Sequence, residues 1–185
     1  MNFLEWNDVI AEHFFCEESA GRTVYLYVTE KLIDELGSAA DETVTGFLAS
    51  MKAGPSWATR TGLCQKALQS MEGWRARHLR WPPYIGYLAL FALAAGHEGD
   101  FAAHAYYPRL RELLGEPSAP GQYPSFHRML YLWSDLEQWA NREKQGALGI
   151  LRLDIAGSWL HVGLPVAQTI LTGAERQNLH QRVFA

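Results

Sequence analysis

Cysteine is nearly missing from this chain: Cys16 and Cys64 are the only two in 185 residues. Two thiols cannot form a disulfide scaffold, and neither has a neighbour at metal-ligand spacing, so the expected setting is a reducing cytoplasm. Charge is sparse as well, with 19% of residues charged and a formal net charge of −4. The basic excess of a nonspecific nucleic-acid binder is therefore missing, and any such contact has to come from a local patch. Residues 1–9 have neither the basic start nor the apolar run of a signal peptide. The most apolar stretch, residues 84–95, is shorter than the roughly 20 residues a bilayer-spanning helix needs, so it reads as a buried helix and no membrane partner is expected. A phosphate-binding Walker loop, a dinucleotide GxGxxG and a GxSxG nucleophile elbow are all absent. Gly96, Gly99 and Gly115 have neither the spacing nor the preceding strand that such loops require. No internal repeat or low-complexity tract stands out.

What the chain has in quantity is aromatic and apolar surface. Seven Trp, eight Tyr and eight Phe stand in a sequence that is 48% hydrophobic, which argues for a packed globular core and against disorder. Large rings serve cores and interfaces alike, and composition does not separate the two. The length fits one domain over 1–185. The apolar end Arg182-Val183-Phe184-Ala185 leaves two readings open, a terminus docked on the core or the N-terminal domain of a longer protein.

Periodicity predicts a predominantly helical α+β domain of about seven or eight helices around an aromatic core, with a small antiparallel sheet. Phe3, Trp6, Val9, Ile10, His13 and Phe14 mark a helix over 3–16 by the i, i+3, i+4, i+7 rule. Thr29 is positioned to cap a short helix ending at Gly37, and Asp41 to cap the next one. Further helices are expected over 58–79, over 83–95 with Pro83 in its first turn, over 101–114 with Pro108 forcing a start near Tyr107 or a kink, over 125–144, and over 165–171 and 173–183. The β-branched and aromatic run at 23–28 reads as a strand. So do 149–155 and 158–162, joined by Ala156-Gly157-Ser158. An isolated hairpin is marginal in water, so the three are expected to pair as one sheet.

Four groups of side chains are worth weighing for chemistry. The stretch Trp74-Arg75-Ala76-Arg77-His78-Leu79-Arg80-Trp81 combines guanidinium groups, which grip phosphate bidentately, with indoles that stack on bases. Its bland counterpart is a helix end with a core tryptophan and solvated arginines. Tyr106-Tyr107-Pro108-Arg109-Leu110-Arg111 extends that surface, because two adjacent tyrosines cannot both face one core. With Trp81 these residues make an aromatic and arginine-rich recognition face of the kind found at interface hot spots. His97 and His104, with Glu98 and Asp100 between them, are weak metal candidates. Seven residues span two helical turns, too far for one ion on a straight helix. Ser125 with His127 and Ser158 with His161 are chance-level nucleophile and base pairs. Asp135 and Glu137, two apart on one helix, face different ways. Gly163 before Pro165 permits an anion-binding helix start, against the simpler reading of a tight turn followed by a first-turn proline.

The opening Trp6-x-x-x-Ile10-Ala11-x-His13-Phe14-Phe15 and the segment 162–172, VGLPVAQTILT, resemble N-terminal regions of large bacterial proteins, including ones from anti-phage gene clusters. The resemblance assigns no residue a role. The leading expectation is a non-catalytic interaction or scaffold domain, docking another protein or domain, within a larger bacterial, defence-type assembly and without a cofactor. The alternatives are a nucleic-acid-contacting domain using the Arg/Trp patch, and a metal-dependent or hydrolytic enzyme.

Overall fold

The computed structural model describes residues 1–96, 106–117 and 123–153. Seven α-helices run through them: α1 (Phe3–Phe14), α2 (Glu30–Gly37), α3 (Val44–Ala53), α4 (Leu63–Met71), α5 (Ile85–Gly96), α6 (Tyr106–Leu113) and α7 (Leu130–Gln138). The organising element is α5. Its residues from Ile85 to Leu90 are buried without interruption, as are Phe91, Leu93 and Ala94, so this helix needs cover on every side. Helices α1, α3 and α6 supply it. Pro82 and Pro83 both precede α5, with the Ile85 N–H bonding the Pro82 carbonyl (3.3 Å), so neither proline sits in its first turn.

Local chemistry starts the N-terminal helices. Asn2 caps α1 by accepting from the Leu4 and Glu5 N–H groups (2.9 and 3.1 Å), while Glu5 accepts from the Asn2 N–H (2.7 Å), a reciprocal capping box. Trp6, Ile10 and Phe14 turn inward as the periodicity expects, whereas Val9 is half-buried and His13 is exposed. Thr29 caps α2 through the Leu32 N–H (3.1 Å). Asp41 does not cap α3. It takes a left-handed backbone (φ 55°), and the Val44 N–H is satisfied by Asp34 reaching across from α2 (2.7 Å). That long-range cap pins α2 to α3. Gly37 allows the junction, since a Cβ there would stand 2.6 Å from the Glu42 carbonyl oxygen and 2.8 Å from the Trp6 ring.

The helix anticipated over 58–79 is shorter. α4 stops at Met71, Gly73 turns the chain at φ 66°, and Arg75–Arg77 forms a separate 3-10 turn. Pro108 falls within α6, and residues 101–105 of the helix expected over 101–114 lie outside the described residues. The 125–144 run is helical throughout but changes pitch: a 3-10 turn (Phe126–Met129), α7, then a π-helical turn (Trp139–Glu143). Widening the last turn keeps Trp139 and Ala140 in the core. There Trp139 meets Phe15 and Trp81 edge-on, at centroid distances of 5.3 and 5.7 Å.

The expected antiparallel sheet is not formed among the described residues. Residues 23–28 form no strand: their one ladder contact is an isolated bridge, Thr23 with Ile150, and it is parallel, while the Tyr27 N–H bonds the Tyr25 carbonyl at 2.9 Å in a tight turn about Leu26. The Val24 N–H bonds the Ile150 carbonyl and the Ile150 N–H bonds the Arg22 carbonyl, both at 2.8 Å. Past that point a side chain takes the place of a strand. Asn141 accepts from the Leu151 N–H (2.8 Å) and donates to the Leu151 carbonyl (2.7 Å), meeting the backbone needs of a fully buried leucine. Gly149 (φ 117°) is required here, because a Cβ would stand 2.3 Å from Val24 Cγ2. The expected strand 158–162, the end of 149–155 beyond Leu153, and the helices over 165–171 and 173–183 lie outside the described residues.

Removing the Asn141 amide leaves a buried donor and acceptor unpaired at Leu151. Asn141→Ala is therefore expected to lower stability by about 1–3 kcal/mol, read as a shift in the urea midpoint at unchanged m-value.

Candidate functional site

The segment after α4 places its arginines in a different setting from the one a straight helix would give. Trp74 is buried, and its indole Nε1–H donates to Asp135 Oδ2 (3.1 Å). Arg75 donates from NH1 to Asp135 Oδ1 and from Nε to Glu143 Oε1, each at 3.0 Å. The Tyr84 hydroxyl donates to the same Asp135 Oδ2. One carboxylate on α7 thus collects an indole, a guanidinium and a phenol from the 74–84 segment. The Glu143 and Asp135 hydrogen bonds hold the guanidinium charged more firmly than usual, and burial, followed by the Asp135 charge, pushes the Tyr84 hydroxyl well above its ordinary range. Because Arg75 is 42% exposed, solvent screening keeps the ionic part of this node small. Its value lies in the directional bonds made where water is scarce.

Arg80 forms an ion pair with Glu12 on α1 and lies over the Trp81 ring, 4.9 Å from its centroid. Trp81 is only 4% exposed, so it belongs to the core rather than to a recognition face. Arg77 is exposed, stacks over Trp57 at 5.1 Å, and donates to the carbonyls of Glu72 and Gly73 at 3.2 and 3.1 Å. Anion binding by Arg75 or Arg80 would first have to displace these carboxylates.

The Tyr106–Arg111 stretch also turns inward. Tyr106 is buried, donating to the Phe91 carbonyl (3.2 Å), with Phe126 packed edge-on at 5.6 Å. Tyr107 and Arg109 are half-buried. Arg111 is buried, with its guanidinium 4.4 Å above the Tyr123 ring. Tyr107 meets Phe126 at 5.3 Å but stays half-buried, so of the two neighbouring tyrosines only Tyr106 is enclosed.

His97 and His104 lie outside the described residues, as do Ser158, His161, Gly163 and Pro165. Among the described residues no group of three or more His, Cys, Asp or Glu is arranged to hold a metal ion. Ser125 accepts a hydrogen bond from Gln65 Nε2 (3.0 Å), and His127 beside it is exposed. Cys64 is buried, and burial raises its thiol to about 12. Cys16 is half-buried, 3.4 Å from Ser19 Oγ. A cavity of about 240 Å3 opens at the start of α4, lined in part by Lys52, Cys64, Lys66, Glu116 and Tyr123.

Three large exposed rings were not singled out by sequence: Tyr25 (48%), Tyr27 (43%) and Tyr131 (50%). For the first two a signal existed. Val24, Leu26 and Val28 are buried, and in an extended chain with one face inward the alternate residues must point out. Around them the surface is acidic. Between residues 17 and 42 there are seven acidic side chains against Arg22 and Lys31, and Glu17, Glu18, Glu30, Asp34 and Glu35 are exposed. Ser19 and Val24 both flank Gly149, so the Glu17–Ser19 turn and the inner side of the 24–28 segment meet there.

These features define a class, a predominantly helical domain with an aromatic core and no helix, among the described residues, long and apolar enough to cross a membrane. No family model, no curated protein and no solved structure matches the chain.

Two outcomes are expected. Asp135→Ala strands an indole and a phenol while Arg75 keeps Glu143, and should cost about 2–4 kcal/mol in urea denaturation, while Tyr84→Phe should cost only about 1 kcal/mol. In the folded protein Ellman's reagent should not label Cys64 between pH 7 and pH 10, because the thiolate is the reactive form and burial keeps the thiol protonated throughout that range; under denaturant it should label at once.

Proposed function

We propose that this chain is a non-catalytic interaction domain that docks a basic segment of another protein over Tyr25 and Tyr27. The observation that carries this reading is the pair of large rings held outward by the burial of Val24, Leu26 and Val28. Two tyrosines on a backbone anchored from beneath offer contact area at low entropic cost. The exposed acidic side chains that bracket them along the chain, Glu17 and Glu18 before and those of α2 after, favour a lysine- or arginine-rich partner and would steer its approach. The resemblance to bacterial anti-phage proteins adds no contact of its own to this reading. The metal-dependent or hydrolytic alternative rests on His97 and His104, which lie outside the described residues.

A nucleic-acid-contacting surface is the second reading, and one observation favours it. Arg77 is exposed and stacked on Trp57, with its hydrogen bonds going to carbonyls rather than carboxylates. Arg75 and Arg80 carry acidic partners, which leaves the patch weakly basic. Fluorescence anisotropy with a labelled duplex tests it. Binding that falls steeply with salt and is abolished by Arg75→Glu, Arg77→Glu and Arg80→Glu together would support it, and binding that is absent or insensitive to salt removes it.

The protein-docking reading is tested by placing a photo-crosslinking amino acid at position 25, 27 or 131 in the native host. Positions 25 and 27 should capture the same partner through a basic peptide, and the exposed control at 131 should not. Tyr25→Ser with Tyr27→Ser should weaken binding of that partner about thirtyfold, the scale of a ~2 kcal/mol hot spot. Glu17→Lys with Glu18→Lys should act chiefly at low salt. Equal capture at all three positions, or affinity indifferent to the tyrosines, overturns the reading.

A further inference from the structure

We draw no further inference here: the strongest candidate, the cavity of about 240 Å3 at the start of α4, carries nothing, because its Lys52 and Lys66 ammonium groups already bond the carbonyls of Leu114 and of Lys52 and Ala53 and only the uncapped helix N-terminus points to a ligand.

Discussion

A helix that is apolar around its whole circumference cannot face water anywhere, and α5 imposes that condition on the rest of the chain. Nine of its residues from Ile85 to Ala94 are buried, so α1, α3 and α6 must approach it closely from different directions. Close approach demands small or adaptable contacts where backbones meet. Gly86 provides one, since a Cβ there would press on Met51 at 3.0 Å. Asn7, fully buried on α1, accepts from the Gly86 N–H at 3.0 Å. Even this apolar helix is thus registered to its neighbour by a polar bond.

The end of α5's approach segment is tied down by a second polar device. Asp135 gathers Trp74, Arg75 and Tyr84, which locks the 74–84 segment against α7 before the chain enters α5. It accounts for the direction of the arginines. Arg75 and Arg80 sit where acidic groups on α1, α7 and the following π-helical turn meet them, so the motif that resembles a phosphate-binding face in one dimension is partly neutralised in three. Aromatic rings follow the same logic. Trp81, Tyr106 and Tyr107 lack an obvious inward register along the sequence, yet Trp139 and Phe126 offer ring faces to receive them.

The absence of a sheet among the described residues has a physical explanation as well. Residues 23–28 have the composition of a strand, and their alternating burial behaves like one. A ladder, however, needs a partner backbone in register, and beyond Ile150 the side chain of Asn141 already satisfies Leu151. The π-helical turn projects Asn141 to that point, an irregularity that hydrophobic periodicity does not reveal. Thr23 and Ile150 lie parallel, so the local hairpin logic that favoured an antiparallel sheet did not apply to this contact.

The sequence by itself determined the helical character, the inward turn of Trp6, Ile10 and Phe14 on α1, the Thr29 cap and the burial of α5, because each depends on residues within a turn or two of one another. Tertiary structure alone decided which carboxylates meet the arginines, which rings close over Phe126 and Trp139, and that Asp34 rather than Asp41 caps α3. Those outcomes join residues 10 or more positions apart in the chain, and no local spacing rule encodes a meeting at that distance.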